Sequence, residues 1–110
     1  MNKMKEHIAQ LDAMKKYPKE LFFLGDTQLL QKKKISIVGS RKPTKYSQLM
    51  ARNLASSATK ADICVVSGGA MGIDAISHMG ASSSNTIAVL VISTNKLYST
   101  TTNCIGVEYE

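Results

Sequence analysis

The sequence predicts an α/β fold built on a parallel sheet of about three to four strands. From position 35 onward, short uncharged runs rich in β-branched residues alternate with segments of helical periodicity. Such runs are typical of parallel strands that are covered on both faces. The first two runs each lead into a glycine-containing loop before the next helical segment. With right-handed crossovers, this order predicts part of a Rossmann-like three-layer αβα arrangement.

An amphipathic helix over residues 2–16 is predicted to precede the sheet, because apolar side chains recur there at helical spacing with lysines between them. These apolar positions are Met4, Ile8, Leu11 and Met14. Tyr17-Pro18 would end the helix. Residues 19–34 are predicted to be a connector with an apolar anchor at 21–24. We therefore divide the chain into an N-terminal helix and connector, residues 1–33, and a partial Rossmann-like domain, residues 34–110.

Within that domain, residues 35–38, 63–66 and 87–92 are the predicted strands. After the second strand and its glycine-containing loop, a short helix is expected to end at about Gly80. The longer helix between the first two strands is indicated by an apolar i,i+4 ladder made up of Tyr46, Met50, Leu54 and Ala58. Membership of this ladder favours core packing for Tyr46, and stacking on a nucleobase is the alternative.

Charge is distributed unevenly along this chain of 110 residues with a net charge of +6. Residues 1–60 hold 13 Lys/Arg and four acids, whereas residues 61–110 hold one lysine and four acids. No acid lies between Asp26 and Asp62, and eight cations do: Lys32, Lys33, Lys34, Arg41, Lys42, Lys45, Arg52 and Lys60. A polyanionic partner would explain this stretch, and so would a solvated cationic face.

Several classes of protein are disfavoured by the same sequence. Cys64 and Cys104 show neither a CxxC pattern nor a histidine at ligand spacing, so neither a zinc site nor a disulfide framework is indicated. The N-terminal residues carry scattered charges and no apolar core of a signal peptide. The longest aliphatic run, residues 87–92, is far too short to span a bilayer. We expect a cytoplasmic protein with no membrane association, metal or cofactor.

Two loops are expected at one edge of the sheet, because parallel strands present their carboxyl ends together and ligands bind beyond that edge. Loop 1, residues 39–44, offers a glycine, the Ser40 hydroxyl and the Arg41 guanidinium, and Thr44 is placed to cap the next helix. Loop 2, residues 67–72, opens a helix directly after a strand, where unpaired amides and the helix dipole attract anions. Phosphate is the ligand that both loops favour.

Other interpretations of these residues remain open. The glycines could serve only tight turns and helix packing, and Arg41 could be simply solvated. The order of glycines does not match GxGxxG, and no phosphate-binding GxxxxGK[ST] is present. Asp74 is expected to complement its helix N-terminus. No nucleophile with an activating base is evident, since Ser40 and Ser67 lack one and a lone His78 is usually structural. We expect no enzymatic activity.

Three segments in order, KKISIVGSRKPTKYS, VVSGGAMGIDAISH and TIAVL, resemble the DNA-processing protein A (DprA/Smf) family. The upstream YPKEL and FLGD also resemble its lead-in, so the similarity covers roughly residues 17–90. The resemblance implies a Rossmann-like DNA-binding domain whose protein binds single-stranded DNA during natural transformation, protects it and helps load the RecA recombinase. It also implies a protein that is not an enzyme.

Carried over by position, the resemblance assigns a DNA-phosphate pocket to the two loops. Its residues would be Gly39, Ser40 and Arg41, with Lys42 beside them, and a second wall of Ser67, Gly68, Gly69 and Gly72. The family's pocket thus coincides with the two loops that favour phosphate.

The resemblance weakens beyond Leu90, where Ser93, Asn95 and Ser99 stand in place of the family's Gly, Asp and Pro. The later RNR segment is missing, and with it much of the family's dimer surface, so a homodimer is expected only if other residues form it. Two alternative functions follow. One is a Rossmann-like nucleotide-binding enzyme that hydrolyses nucleoside monophosphates, although its PGGxGTxxE signature is absent. The other is a truncated copy without independent function.

Overall fold

The computed structural model describes residues 2–5, 8–15, 21–92 and 103–108. They form one mixed sheet of six strands: β1 (Asn2–Lys3), β2 (Leu21–Leu24), β3 (Lys34–Ser36), β4 (Cys64–Ser67), β5 (Thr86–Ile92) and β6 (Asn103–Glu108). The helices are α1 (Lys45–Lys60), α2 (Ile73–Gly80) and two 3-10 helices, Ala9–Ala13 and Thr27–Gln31. None of the described helices is long and apolar enough to cross a membrane.

The strand order is β1-β2-β6-β5-β4-β3, and the last four strands of this order are parallel to one another. β2 runs antiparallel to β6, and β1 antiparallel to β2. This confirms the predicted α/β class and the parallel sheet of three to four strands. Ser36 pairs with Val66, and the Ile37 amide donates to the Val66 carbonyl (3.1 Å). The register therefore ends β3 and β4 together, so loops 1 and 2 leave from the same edge.

The predicted three-layer arrangement is wrong for the described residues, because both α-helices lie on one face of the sheet. The core of that face comprises Ile37, Ala51, Ala55, Ala58, Val65, Ile73 and Ala81. On the other face, the 3-10 helix Thr27–Gln31 places Leu29 against Cys64 and Ile87. Strands β3, β4 and β5 follow one another across the sheet without a reversal. Right-handed crossovers then put successive helices on the same side.

The N-terminal amphipathic helix predicted over residues 2–16 is also absent from residues 2–5 and 8–15, the part of this range that the structure describes. Asn2–Lys3 is a strand that pairs with β2, the Met4 amide donates to the Leu21 carbonyl (2.6 Å), and Ala9–Ala13 is a 3-10 helix. Pairing with the sheet satisfies the backbone here and overrides the local helical spacing. The Tyr17-Pro18 stop lies outside the described residues.

Besides β1, two more strands of the sheet were not predicted. The apolar anchor at residues 21–24 is β2, and β6 lies between β2 and β5 in the middle of the sheet. The sheet therefore joins residues from both of the segments predicted at 1–33 and 34–110. Residues 93–102, where the family resemblance weakens, lie outside the described residues.

Helix α1 buries its alanines and exposes its large apolar side chains, the reverse of the predicted packing. Ala55 is fully buried, whereas Tyr46 is 72% exposed and Leu54 is 51% exposed. A Cβ on Gly80 would lie 2.8 Å from the Arg52 carbonyl oxygen and 3.0 Å from the Ala55 Cβ. Small residues therefore allow α1 and α2 to approach closely, and of the ladder only Ala58 reaches the core.

Replacing Ala55 with leucine should destabilise the fold by about 1–3 kcal/mol, because the α1–α2 crossing has no space for the added carbons. Urea unfolding monitored by circular dichroism measures the change. The matched control is Leu54→Ala, which truncates an exposed neighbour and should change stability by no more than about 0.5 kcal/mol. Equal stability of Ala55→Leu and the native chain would contradict the packing described here.

Candidate nucleic-acid interface

Loops 1 and 2 are joined by direct contacts at the carboxyl edge of the sheet. The Ile73 amide at the start of α2 donates to the Ser40 carbonyl oxygen (3.1 Å). Gly72 has a positive φ of 83°, and a Cβ there would overlap the same carbonyl. A Cβ on Gly39 would lie 2.9 Å from the Ile73 side chain. The two loops therefore form one surface, and one of the α2 amides expected to meet an anion is already bonded to Ser40.

Loop 1 presents its polar groups to solvent, since Gly39, Ser40, Arg41 and Lys42 are all exposed. The Ser40 hydroxyl accepts a hydrogen bond from the Lys42 amide (3.0 Å), which orders the turn between them. Within the described part of the chain, no carboxylate pairs with the Arg41 or Lys42 side chain. Their charges are therefore available to an anionic ligand.

Thr44 caps α1 as predicted, because its hydroxyl accepts from the Ser47 amide (3.1 Å). The Gln48 side chain also donates to the Pro43 carbonyl (3.2 Å). These two bonds fasten the end of loop 1 to the first turn of the helix.

Loop 2 supplies glycine backbone to the surface, with Gly69 exposed and Gly68 and Gly72 half-buried. Ser67 differs from the other residues predicted for the pocket, since it is buried and its hydroxyl donates to the Ile37 carbonyl (2.5 Å). That bond fastens β4 to the end of β3. Seven of the eight predicted residues thus meet at one accessible edge, and the Ser67 hydroxyl faces the sheet.

His78 supports loop 2 from below, because its Nε2 donates to the Gly68 carbonyl (2.9 Å) and its Nδ1 lies 2.6 Å from the Thr86 hydroxyl. Both ring nitrogens are thereby engaged, as expected for a structural histidine. Asp74 is buried in the first turn of α2, with Oδ2 2.7 Å from where a Gly68 Cβ would lie. Its position fits the predicted role of complementing the helix dipole.

Seven of the eight cations of the acid-free stretch are divided between the two edges of the sheet, and Arg52 lies in the middle of α1. Lys32, Lys33 and Lys34 precede or begin β3, at the edge opposite the loops, and α1 ends there at Lys60. Lys32 forms an ion pair with Asp62 (2.7 Å), and the Lys34 ammonium donates to the Leu30 carbonyl (2.7 Å). The loop edge instead carries Arg41, Lys42 and Lys45. Fewer cations therefore lie near the loops than the sequence suggested. Their side chains also have fewer bonds within the fold than the lysines at the opposite edge.

Cys64 is buried in the core, and burial raises the pKa of its thiol, an effect that Lys32 and Lys34 partly oppose. The thiol therefore stays protonated at neutral pH and is a poor nucleophile. Among the described residues, no group of three or more His, Cys, Asp or Glu side chains is arranged to hold a metal. The side chain of Cys104 lies outside the description.

Exposed apolar side chains beside the loops are the feature that sequence reasoning missed. Val38 is 70% exposed where β3 leads into loop 1, and Met71 is 77% exposed in loop 2. Tyr46, two residues after loop 1, is exposed as well. Their exposure could have been predicted from the sequence, because Val38 and Met71 are adjacent to the loop glycines. A side chain beside a surface loop seldom packs into a core.

Comparison with known proteins identifies relatives of this fold. The family model described as DNA recombination-mediator protein A matches residues 2–106. A Mycobacterium tuberculosis protein named as a DNA processing protein DprA is 38% identical over 77 residues, covering 68% of this chain and 20% of its own length. The DNA processing protein DprA of Bacillus subtilis is 44% identical over 62 residues, covering 56% of this chain and 21% of its own.

A solved structure of DNA processing protein A from Helicobacter pylori, concerned with its single-stranded DNA binding mode, superposes with a TM-score of 0.86 at 30% identity. The match covers 96% of this chain and 54% of that one. The matched chain therefore spans about a fifth of the two curated relatives and about half of the Helicobacter structure.

Proposed function

Since this chain belongs to the DNA recombination-mediator protein A family, we propose that it binds single-stranded DNA at the edge where loop 1 meets loop 2. The family resemblance carried by these loops is confirmed. The observation that carries the proposal is the bond from the Ile73 amide to the Ser40 carbonyl, which holds the exposed Arg41 and Lys42 beside the glycines of loop 2. Cations and open backbone together suit a phosphate chain.

Each part of this edge has a chemical role in the proposal. The Arg41 guanidinium is a planar fork that donates two parallel hydrogen bonds to one phosphate. Lys42 and Lys45 add point charges along the backbone. Gly69 is exposed and carries no side chain, so the strand can approach the main chain of loop 2 closely. None of these contacts depends on base identity, so the proposed binding is independent of sequence.

In the wider proposal, this binding protects DNA entering the cytoplasm during natural transformation and helps to load RecA onto it. The Helicobacter relative has a single-stranded DNA binding mode, which supports the binding itself. We further propose that the chain acts by binding and not by turnover, because both nitrogens of His78 are bonded within the fold and Cys64 is buried. RecA contact and homodimerisation remain predictions.

A salt titration tests the proposal. Fluorescence anisotropy with a labelled oligo-dT should show binding at low salt that weakens as salt rises. Three phosphate contacts, from Arg41, Lys42 and Lys45, predict a slope of roughly −2 in log affinity against log salt concentration. Lys42→Ala should reduce the slope, whereas Lys60→Ala, at the opposite edge, should leave it unchanged. Absence of binding at low salt, or a slope that only Lys60→Ala alters, would contradict the proposal.

A further inference from the structure

We propose that Tyr46 is a stacking platform for a nucleobase of the strand whose phosphates loop 1 holds. The inference rests on the proposed function and deepens it, because it assigns a place to the bases. Tyr46 is 72% exposed although it belongs to an apolar helical ladder. The core side of α1 is occupied by Ala51, Ala55 and Ala58. Packing therefore gives no reason for an aromatic ring at this position.

The backbone of Tyr46 is held directly after the groups proposed to bind phosphate and does not lie on a free segment. Tyr46 is the second residue of α1, and the bond from the Ser47 amide to the Thr44 hydroxyl (3.1 Å) holds this first turn. The turn follows loop 1 directly, so Tyr46 lies five residues after Arg41 along an ordered backbone. No hydrogen bond to the Tyr46 hydroxyl is formed by the described residues, which leaves the whole side chain available.

The chemistry of the surroundings favours nucleobases as the occupant. Proteins that bind single strands combine cations along the backbone with aromatic rings on which bases stack. Lys45 precedes the ring, and Met71 of loop 2 adds an exposed apolar side chain at the same edge of the sheet. Residues 27–61 hold no acid that would repel phosphate.

A second copy of this chain fits the same face less well. A symmetric contact through the exposed face of α1 would bring two copies of its exposed cations, Lys45 and Arg52, into one interface. Like charges in such an interface oppose association. A nucleic acid strand instead supplies nucleobases that can stack on the ring and phosphates of opposite charge. The observations therefore favour a strand over a second copy of this chain.

The test compares oligo-dT with an abasic oligomer of equal length, each measured by fluorescence anisotropy against the full chain. The native chain should bind oligo-dT more tightly than the abasic strand. Tyr46→Ala should weaken oligo-dT binding by roughly 5- to 100-fold, the range for one stacked base, and leave abasic binding unchanged. Tyr46→Phe should retain the native affinity for both. Leu54→Ala, two turns further along the same helix, is the control for general loss of apolar surface.

A second readout uses an oligomer that carries 2-aminopurine, whose fluorescence is quenched on stacking. Quenching on binding should be seen with the native chain and with Tyr46→Phe, and should be lost with Tyr46→Ala. Equal losses for oligo-dT and abasic strands, or no loss at all, would overturn the stacking role while leaving phosphate binding intact. No binding of either strand by the native chain would overturn the proposed function itself, and the inference with it.

Discussion

Gly72→Ala should both destabilise the fold and abolish DNA binding, because this residue forms the junction between the two loops. Gly72 has φ +83° and ψ −128°, a conformation that side-chain-bearing residues rarely adopt. Forcing it costs about 1–3 kcal/mol before any clash is considered. The added Cβ would also overlap the Ser40 carbonyl and lie 2.7 Å from the Arg41 Cα. Since these are backbone atoms, loop 1 must move away.

Gly69→Ala is the matched control for this substitution. Its Cβ would meet only the end of the Leu90 side chain, which can rotate aside, and its φ lies outside the positive region. Urea unfolding and oligo-dT anisotropy together measure the difference. We expect Gly69→Ala to keep the stability of the native chain and to weaken oligo-dT binding far less than Gly72→Ala, because its Cβ limits only the close approach of the strand to loop 2. If the two variants behave alike, the packing between loops does not set the geometry of the interface.

Arg41→Ala is expected to weaken oligo-dT binding by about 10- to 100-fold without changing stability. The side chain is exposed and makes no ion pair with a described carboxylate, so the fold does not depend on it. A charge-assisted hydrogen bond contributes about 1.5–3 kcal/mol, which corresponds to that loss. Arg41→Lys should bind with intermediate affinity, because lysine keeps the charge but not the fork.

The control for Arg41→Ala is Arg52→Ala, which removes the same charge from the middle of α1. Arg52→Ala should reduce the affinity for oligo-dT far less than Arg41→Ala, if Arg41 acts by direct contact with the strand and not through the net charge of the protein. Anisotropy at fixed salt gives the ratio, and thermal unfolding checks that both variants are folded. Equal reductions would indicate a general attraction between a basic protein and a polyanion, with no defined site at loop 1.

The parallel strands and the two loops could be predicted from sequence because their signals are local. The uncharged runs at β3, β4 and β5 are each followed by a change of pattern, and the parallel register then brings loops 1 and 2 to one edge. Strands β2 and β6 gave no such signal, since their place depends on pairing between residues far apart in the chain, such as Phe23 with Ile105.

Periodicity also could not decide which side of α1 enters the core. The helix carries two apolar stripes, one of alanines and one of Tyr46, Met50 and Leu54, and hydrophobicity favours the larger side chains. The close approach at Gly80 selects the alanines. The orientation of the Ser67 hydroxyl could not be predicted for a related reason, because its partner, the Ile37 carbonyl, is brought near only by the folded arrangement.

The central claim is that single-stranded DNA binds where the two loops meet, and the most direct test maps the footprint of the strand by NMR. Amide signals of the isotope-labelled chain would be followed while oligo-dT is added. Binding at the loops should give saturable shifts concentrated in residues 39–42 and 68–72. Signals of Lys32–Lys34 and Asp62, at the opposite edge of the sheet, should not move. Shifts centred on those lysines, with the loop amides unmoved, would contradict the account.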